Sequence, residues 1–176
     1  NATLFTGKAL SFNGNDSVDI DGFTMSGSTA TFAFTMDSSD TLGRMFAVSP
    51  VSFFISFNSN QLSIYLGGWY NFGAITTGEY HRIIITINGT TAKCFVDNIQ
   101  LGVDKTIPLL DLSVATLAAI GSREDGTSPF FVGNLSDFQI YNKAWDSDDV
   151  AFDYNNPNHL AIDNPDTDLV VTDLKA

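Results

Sequence analysis

Cysteine, histidine, glutamate and positive charge are all scarce in this chain. One cysteine among 176 residues excludes an internal disulfide framework and a cysteine-built metal cage. It sits in Lys93-Cys94-Phe95-Val96, which reads as a buried strand position with no neighbouring base to activate the thiol. Glutamate occurs only at Glu79 and Glu124, so nearly all of the 20 acidic residues are aspartates. Aspartate favours turns and caps where glutamate favours helix interiors, which tilts the expectation toward strands and loops. Lys+Arg total 8, leaving a formal charge of −12. A surface of that sign repels nucleic-acid backbones and anionic membranes, so neither is an expected partner. The longest apolar runs, such as Ile83-Ile84-Ile85, fall far short of the roughly 20 residues that span a bilayer. Charged residues make up only 16%, which fits neither a coiled coil nor a disordered acidic chain.

Phenylalanine, by contrast, is abundant, and apolar residues recur with period two. Phe32, Phe34 and Met36 alternate with Thr31, Ala33 and Thr35, the pattern of a strand with one apolar face. Similar runs fall at 9–12, 44–48, 51–57, 61–66, 80–87, 92–97, 116–120 and 130–141, separated by turn residues. Asn88-Gly89 between two such runs predicts a tight type I′ hairpin. Many short strands at regular spacing predict an all-β, two-sheet antiparallel sandwich. One short C-terminal helix is expected after Asp146, which can cap it. Asp149 lies three residues on, Val150 and Tyr154 share a face, and Pro157 stands past the stop. Residues 1–156 are therefore expected to form one sandwich and 157–176 an extended linker or arm toward a following domain. Within that arm Leu169-Val170-Val171 would either pair with a sheet edge or begin the next domain. The start at Asn1 rather than Met is what a mature product or an excised fragment would show.

The familiar signatures of chemistry are missing. His81 falls on an expected strand and His159 in the tail, and no G-x-S-x-G elbow or phosphate-cradling glycine loop accompanies them. Aspartates at 19/21, 37/40 and 146/148/149 each fall at a turn or cap, where a solvated carboxylate needs no further role. Four Asn-x-Ser/Thr sequons, at Asn1, Asn15, Asn88 and Asn134, are little more than this composition gives by chance.

The segment Ala9-Leu10-Ser11-Phe12-Asn13-Gly14-Asn15-Asp16-Ser17-Val18-Asp19-Ile20 resembles the opening strand pair, "alxFdGxddyvxi", of laminin G-like, concanavalin A-like jelly-roll modules. Ala30 to Met36 resembles their next strand. Gly78-Glu79-Tyr80-His81-Arg82 is similar to "gxWhh", with Tyr80 where Trp is usual. Cys94-Phe95-Val96-Asp97-Asn98 is similar to "lYvDG", with Asn98 for the usual Gly, a replacement that tolerates the left-handed conformation. Ile120-Gly121-Ser122, then Phe131-Val132-Gly133-Asn134-Leu135-Ser136-Asp137 through Ala144, is similar to "iGs…fxGxidevriynraLs". Trp145 stands where Leu is usual and reads as a core aromatic rather than a sugar platform. The matches run in the family's order over about residues 9–156.

The resemblance implies a jelly-roll sandwich and a choice between enzyme and binding module. The family's retaining glucanases carry E-x-D-x-E on one strand, and neither Glu here has that neighbourhood, so no catalysis is expected. Calcium is the most plausible cofactor, structural in role, with Asp16 in the first turn and Asp137 at the matched "idev" acid as candidate ligands. Each acid is equally readable as a turn cap or a strand-end acceptor. A sugar site calls for an aromatic face with polar groups at its rim. Trp69, Tyr70 and Asn71, in a segment read as a glycine-flanked loop, and Arg123 and Asp125 in a polar loop are the candidates. Strand packing and solvation are the plain alternatives for them. The expected function is a non-catalytic, lectin-like module that binds a glycan or cell-surface polysaccharide, within an extracellular or virion-surface protein. The tail is similar to the joints of phage structural and tail fibre proteins. The alternative is a virion assembly or decoration domain that contacts other virion proteins and binds no sugar.

Overall fold

A computed structural model describes residues 3–5, 9–38, 42–123, 125–127, 129–157 and 169–171. In chain order the strands are β1 (Thr3–Phe5), β2 (Ala9–Asn13), β3 (Val18–Asp21), β4 (Thr29–Ser38), β5 (Gly43–Ser49), β6 (Phe53–Asn58), β7 (Gln61–Tyr65) and β8 (Trp69–Ala74). They continue as β9 (His81–Asn88), β10 (Thr91–Val96), β11 (Ile99–Gln100), β12 (Lys105–Thr106), β13 (Leu117–Ile120) and β14 (Val132–Tyr141). The helix α1 (Ser147–Asn155) and β15 (Leu169–Val171) follow. One sheet runs β1-β2-β14-β4-β9-β10-β11, with β12 also on β10 and β15 also on β14; the other runs β3-β13-β5-β6-β7-β8. Every pairing between these strands is antiparallel, as the alternating pattern requires.

The alternation packs as expected between the sheets. Phe32 of β4 meets Phe46 of β5 and Phe53 of β6 with ring centroids 5.4 and 5.2 Å apart, and Phe34 stacks on Phe138 at 5.3 Å. Ile83, Ile85 and Ile87 of β9 join the same core with Ala92 and Cys94 of β10. The buried thiol is pushed up in pKa by desolvation and is no nucleophile.

β4 differs from the expectation of one apolar face, because both of its faces are covered. On the outside Ala33, Ile84 and Phe95 pack with Tyr141, Trp145 and Val150, so the helix and its approach close that surface. Trp145 is core, its ring centroid 4.6 Å from that of Tyr141. Thr31 locks this approach: its hydroxyl donates to the Lys143 carbonyl and accepts from Trp145 N–H.

Two local expectations are corrected. Asn88 stays in the ladder, opposite both Thr29 and Thr91, so the turn is Gly89-Thr90 with only Gly89 at positive φ, the type II′ pattern. Among the described residues, the two-residue turns with both φ positive are Ser59-Asn60 and Asp97-Asn98. The helix buries Val150 and Asp153, not Tyr154, which is exposed; the sheet offers Asp153 an arginine partner that a tyrosine would not use. In the arm, Leu169–Val171 pairs with β14 opposite Ile140 and Tyr141. Residues 158–168 and 172–176 lie outside the described residues, as do Asp40, Glu124 and His159.

Candidate functional site

Residues 69–74 form an edge strand rather than a loop, and that decides where its side chains go. The turn before it is closed by Leu66 N–H donating to the Gly68 carbonyl at 3.0 Å, with Gly67 at positive φ. β8 then pairs with β7, Tyr65 opposite Trp69 and Ser63 opposite Asn71. Successive strand residues point to opposite faces. Tyr70 therefore turns inward and packs against the core, while Trp69 and Asn71 face outward.

Registers across the six-stranded sheet assemble an outer face from this alternation. One row reads Asp19, Ala119, Ala47, Phe54, Tyr65, Trp69. The next reads Arg44, Ser56, Ser63, Asn71. At the β8 end, three consecutive aromatic residues of the first row thus lie beside a polar row. Phe54 and Tyr65 stack with centroids 5.2 Å apart, and Trp69 meets Tyr65 edge-on at 5.3 Å. The Arg44 guanidinium covers Phe54 from the β5 side, 3.8 Å from the ring centroid. Phe54 is closed by both neighbours and only 5% exposed, whereas Trp69 at the sheet edge is 44% exposed. Trp69 is the ring in this row with an open face. Beside it, the Asn71 amide is anchored by Ser63 Oγ, 2.8 Å away.

The other candidates lie elsewhere. Arg123 and Asp125 belong to the loop that leaves β13, and Phe130 returns from it to bridge Arg44. From β13 to β8 is four strand spacings, roughly 19 Å. Within the loop, Asp125 accepts from the Thr127 hydroxyl and N–H, and the hydroxyl holds its carboxyl below the ordinary range. Arg123 Nε is 3.9 Å from the same carboxylate.

The two acids proposed for calcium do not converge. Asp16 is buried in the β2–β3 turn and accepts from Asn13 N–H at 3.3 Å. Asp137 lies at positive φ in the bulge of β14, its carbonyl accepting from Arg82. Among the described residues no three His, Cys, Asp or Glu side chains come together to hold a metal. These two donors do not fit one calcium site.

One constellation escaped the sequence reading. Thr76 Oγ1 lies 2.8 Å from His81 Nε2, and His81 Nδ1 lies 2.6 Å from Asp97 Oδ2. Asp97 Oδ1 also accepts from Arg82 N–H at 2.9 Å. Hydroxyl, imidazole and carboxylate form a chain, but Glu79 Oε2 is 3.5 Å from Thr76 Oγ1. A carboxylate there opposes the oxyanion that acyl transfer would build. The chain instead ties the β8–β9 connection to the Asp97-Asn98 turn. The sequence signal was present only as spacing between three elements, which a linear motif does not record.

A model of the concanavalin A-like lectin/glucanases superfamily matches residues 12–151. No curated protein matches the sequence. Among solved structures, the chain is similar to domain 4 of AbnA, a GH43 extracellular arabinanase from Geobacillus stearothermophilus, in complex with arabinotriose. The TM-score is 0.67 at 19% identity over 84% of this chain and 76% of that one. A native heptameric SAP-like pentraxin from Limulus polyphemus gives a TM-score of 0.71 at 13% identity, covering 86% and 84%. The ligand-binding domain of botulinum neurotoxin serotype D, in complex with N-acetylneuraminic acid, gives 0.68 at 13%, covering 88% of this chain and 44% of that one. At these identities the likeness is one of fold.

Proposed function

This chain belongs to the concanavalin A-like lectin/glucanases superfamily, and on that premise we propose that it is a non-catalytic carbohydrate-binding module of a larger extracellular or virion-surface protein. The observation that carries the reading is the outer face of β7 and β8. There an exposed tryptophan, braced edge-on by Tyr65, stands beside an anchored asparagine amide. A sugar offers an apolar ring face and a rim of hydroxyls, and this pairing of ring and amide complements both. That two similar folds were solved with sugars supports it. Trp69 and Asn71 make the contacts, and Tyr70 supports them from beneath. Arg123 and Asp125 touch only a ligand long enough to cross the sheet. Asp16, in the β2–β3 turn, and Asp137, in β14, lie on neither β7 nor β8, so sugar contact is expected to need no calcium. The test is a glycan-array screen of the protein and of Trp69→Ala, each with calcium and with a chelator. Binding that drops at least ten-fold in Trp69→Ala and ignores the chelator is expected. Undiminished binding by Trp69→Ala, or silence from folded protein, overturns the reading.

A second reading, an assembly domain contacting other virion proteins, draws on Ile99, Val103 and Leu109, three large aliphatic side chains exposed within one short stretch. Self-association in sedimentation, abolished by Ile99→Asp, would favour it.

A further inference from the structure

The outer face of β8 sits in a part of the chain without charge. From residue 45 to residue 78, between Arg44 and Glu79, there is no Asp, Glu, Lys, Arg or His, in a protein of net charge −12. These residues include all of β6, β7 and β8. The cation nearest along the rows, Arg44, is committed to the ring of Phe54, two strands from β8. Among the described residues, the two rows of this face therefore place no cation next to Trp69, and the negative charge of the molecule as a whole repels an anionic ligand.

The amide of Asn71 sharpens this. Ser63 Oγ lies 2.8 Å from Asn71 Oδ1 and 3.0 Å from the Gln61 carbonyl oxygen. A hydroxyl has one proton and serves one of these acceptors at a time. Turning the amide over satisfies every group: Nδ2–H donates to Ser63 Oγ, and Ser63 O–H donates to Gln61. The exposed Asn71 then presents an oxygen and its second N–H side by side. Two adjacent hydroxyls match that pair, one donating and one accepting. A carboxylate or sulfate only accepts, so it leaves the amide oxygen facing another oxygen without a proton between them.

We propose that the Trp69–Asn71 edge selects neutral glycans presenting adjacent hydroxyls and rejects glycans carrying carboxylate or sulfate at the bound unit. The proposal rests on the carbohydrate-binding reading and goes beyond it in naming the ligand's charge class. It is tested by calorimetry at low ionic strength with arabinotriose, xylotriose and cellotriose against trigalacturonate and sialyllactose. At least one neutral sugar is expected to bind ten-fold or more tighter than either acid. Asn71→Asp, which keeps the amide oxygen's place and puts an acceptor where the N–H donors were, is expected to weaken neutral binding at least ten-fold. Asn71→Lys is expected to shift preference toward the acids, with melting temperatures unchanged in both variants. Equal or tighter binding of the acidic sugars overturns the selectivity while leaving the carbohydrate reading intact, and an unaffected Asn71→Asp overturns the role of the amide. Failure of all five sugars to bind removes the carbohydrate reading and this inference with it.

Discussion

Arg82 and Asp153 meet through two parallel hydrogen bonds, Nε to Oδ2 at 2.7 Å and Nη2 to Oδ1 at 2.8 Å. The pair joins the start of β9 to the inner face of the helix, and neither side chain is more than 14% exposed. Arg82 also donates from Nη1 to the Asp137 carbonyl at 3.1 Å, so it fastens the β14 bulge as well. Removing one partner of such a pair strands the other charge away from water, which costs about 3–5 kcal/mol. Asp153→Ala is therefore expected to lower stability in urea denaturation by about 3 kcal/mol. The joint replacement Arg82→Met with Asp153→Leu leaves no stranded charge and is expected to cost far less. A double variant as unstable as Asp153→Ala would mean that the pair is needed for more than mutual neutralisation.

The helix begins with a reciprocal cap whose contribution depends on pH. Asp146 Oδ1 accepts from Asp149 N–H at 3.0 Å and Asp148 N–H at 2.9 Å, and Asp149 Oδ2 accepts from Asp146 N–H at 3.2 Å. The Asp149 N–H, then the Asp148 N–H, hold the Asp146 carboxyl below its ordinary value of 3.8. A depressed carboxylate adds stability that is fully present above the ordinary value and is lost as pH falls through the lowered one. Asp146→Ala is expected to cost about 1 kcal/mol at neutral pH. The gap from wild type should narrow only once the pH is below 3.8. Asp146→Asn, a cap that does not titrate, should show no such narrowing relative to Ala. Paired denaturation curves across the acid range measure both.

The sheets were readable from residues alone because their signal is local: alternation in Phe32–Met36 fixes which side chains share the core whatever the neighbours are. β8 was misread because Gly67, Gly68 and Gly73 carry the composition of a loop, whereas its hydrogen bonds come from β7. That error matters at the site. Adjacent residues in a loop can share a ligand, but adjacent residues in a strand cannot, so Tyr70 separates from Trp69 and Asn71. Asp97 shows the same limit from another side. It was read as the last residue of the 92–97 strand rather than as a turn residue, and its bond to His81 depends on the β9–β10 register. The outer aromatic row is likewise invisible in one dimension, since Phe54, Tyr65 and Trp69 become neighbours only through two hairpin registers.

The matched glycine at 133 has a physical reason that a substitution can expose. Gly133 lies in β14 between Phe12 of β2 and Ser38 of β4, at φ +144. A β-carbon there would overlap the Asp37 carbonyl oxygen and stand 2.9 Å from Ser38 Cα, and both are backbone atoms that cannot swing aside. The strain of the backbone and the overlap act together, so Gly133→Ala is expected to cost about 3 kcal/mol or more. Gly89 provides the control. It too is at positive φ, +59, but nothing lies within 4 Å of its would-be β-carbon. Gly89→Ala carries only the penalty of a positive φ at the first central position of a type II′ turn, about 2 kcal/mol. Thermal or urea denaturation of the two variants separates the terms: a large loss at Gly133 and a small one at Gly89 assigns the difference to close approach of β4. Equal losses would place the whole effect in φ and leave the tight contact between β4 and β14 without energetic weight.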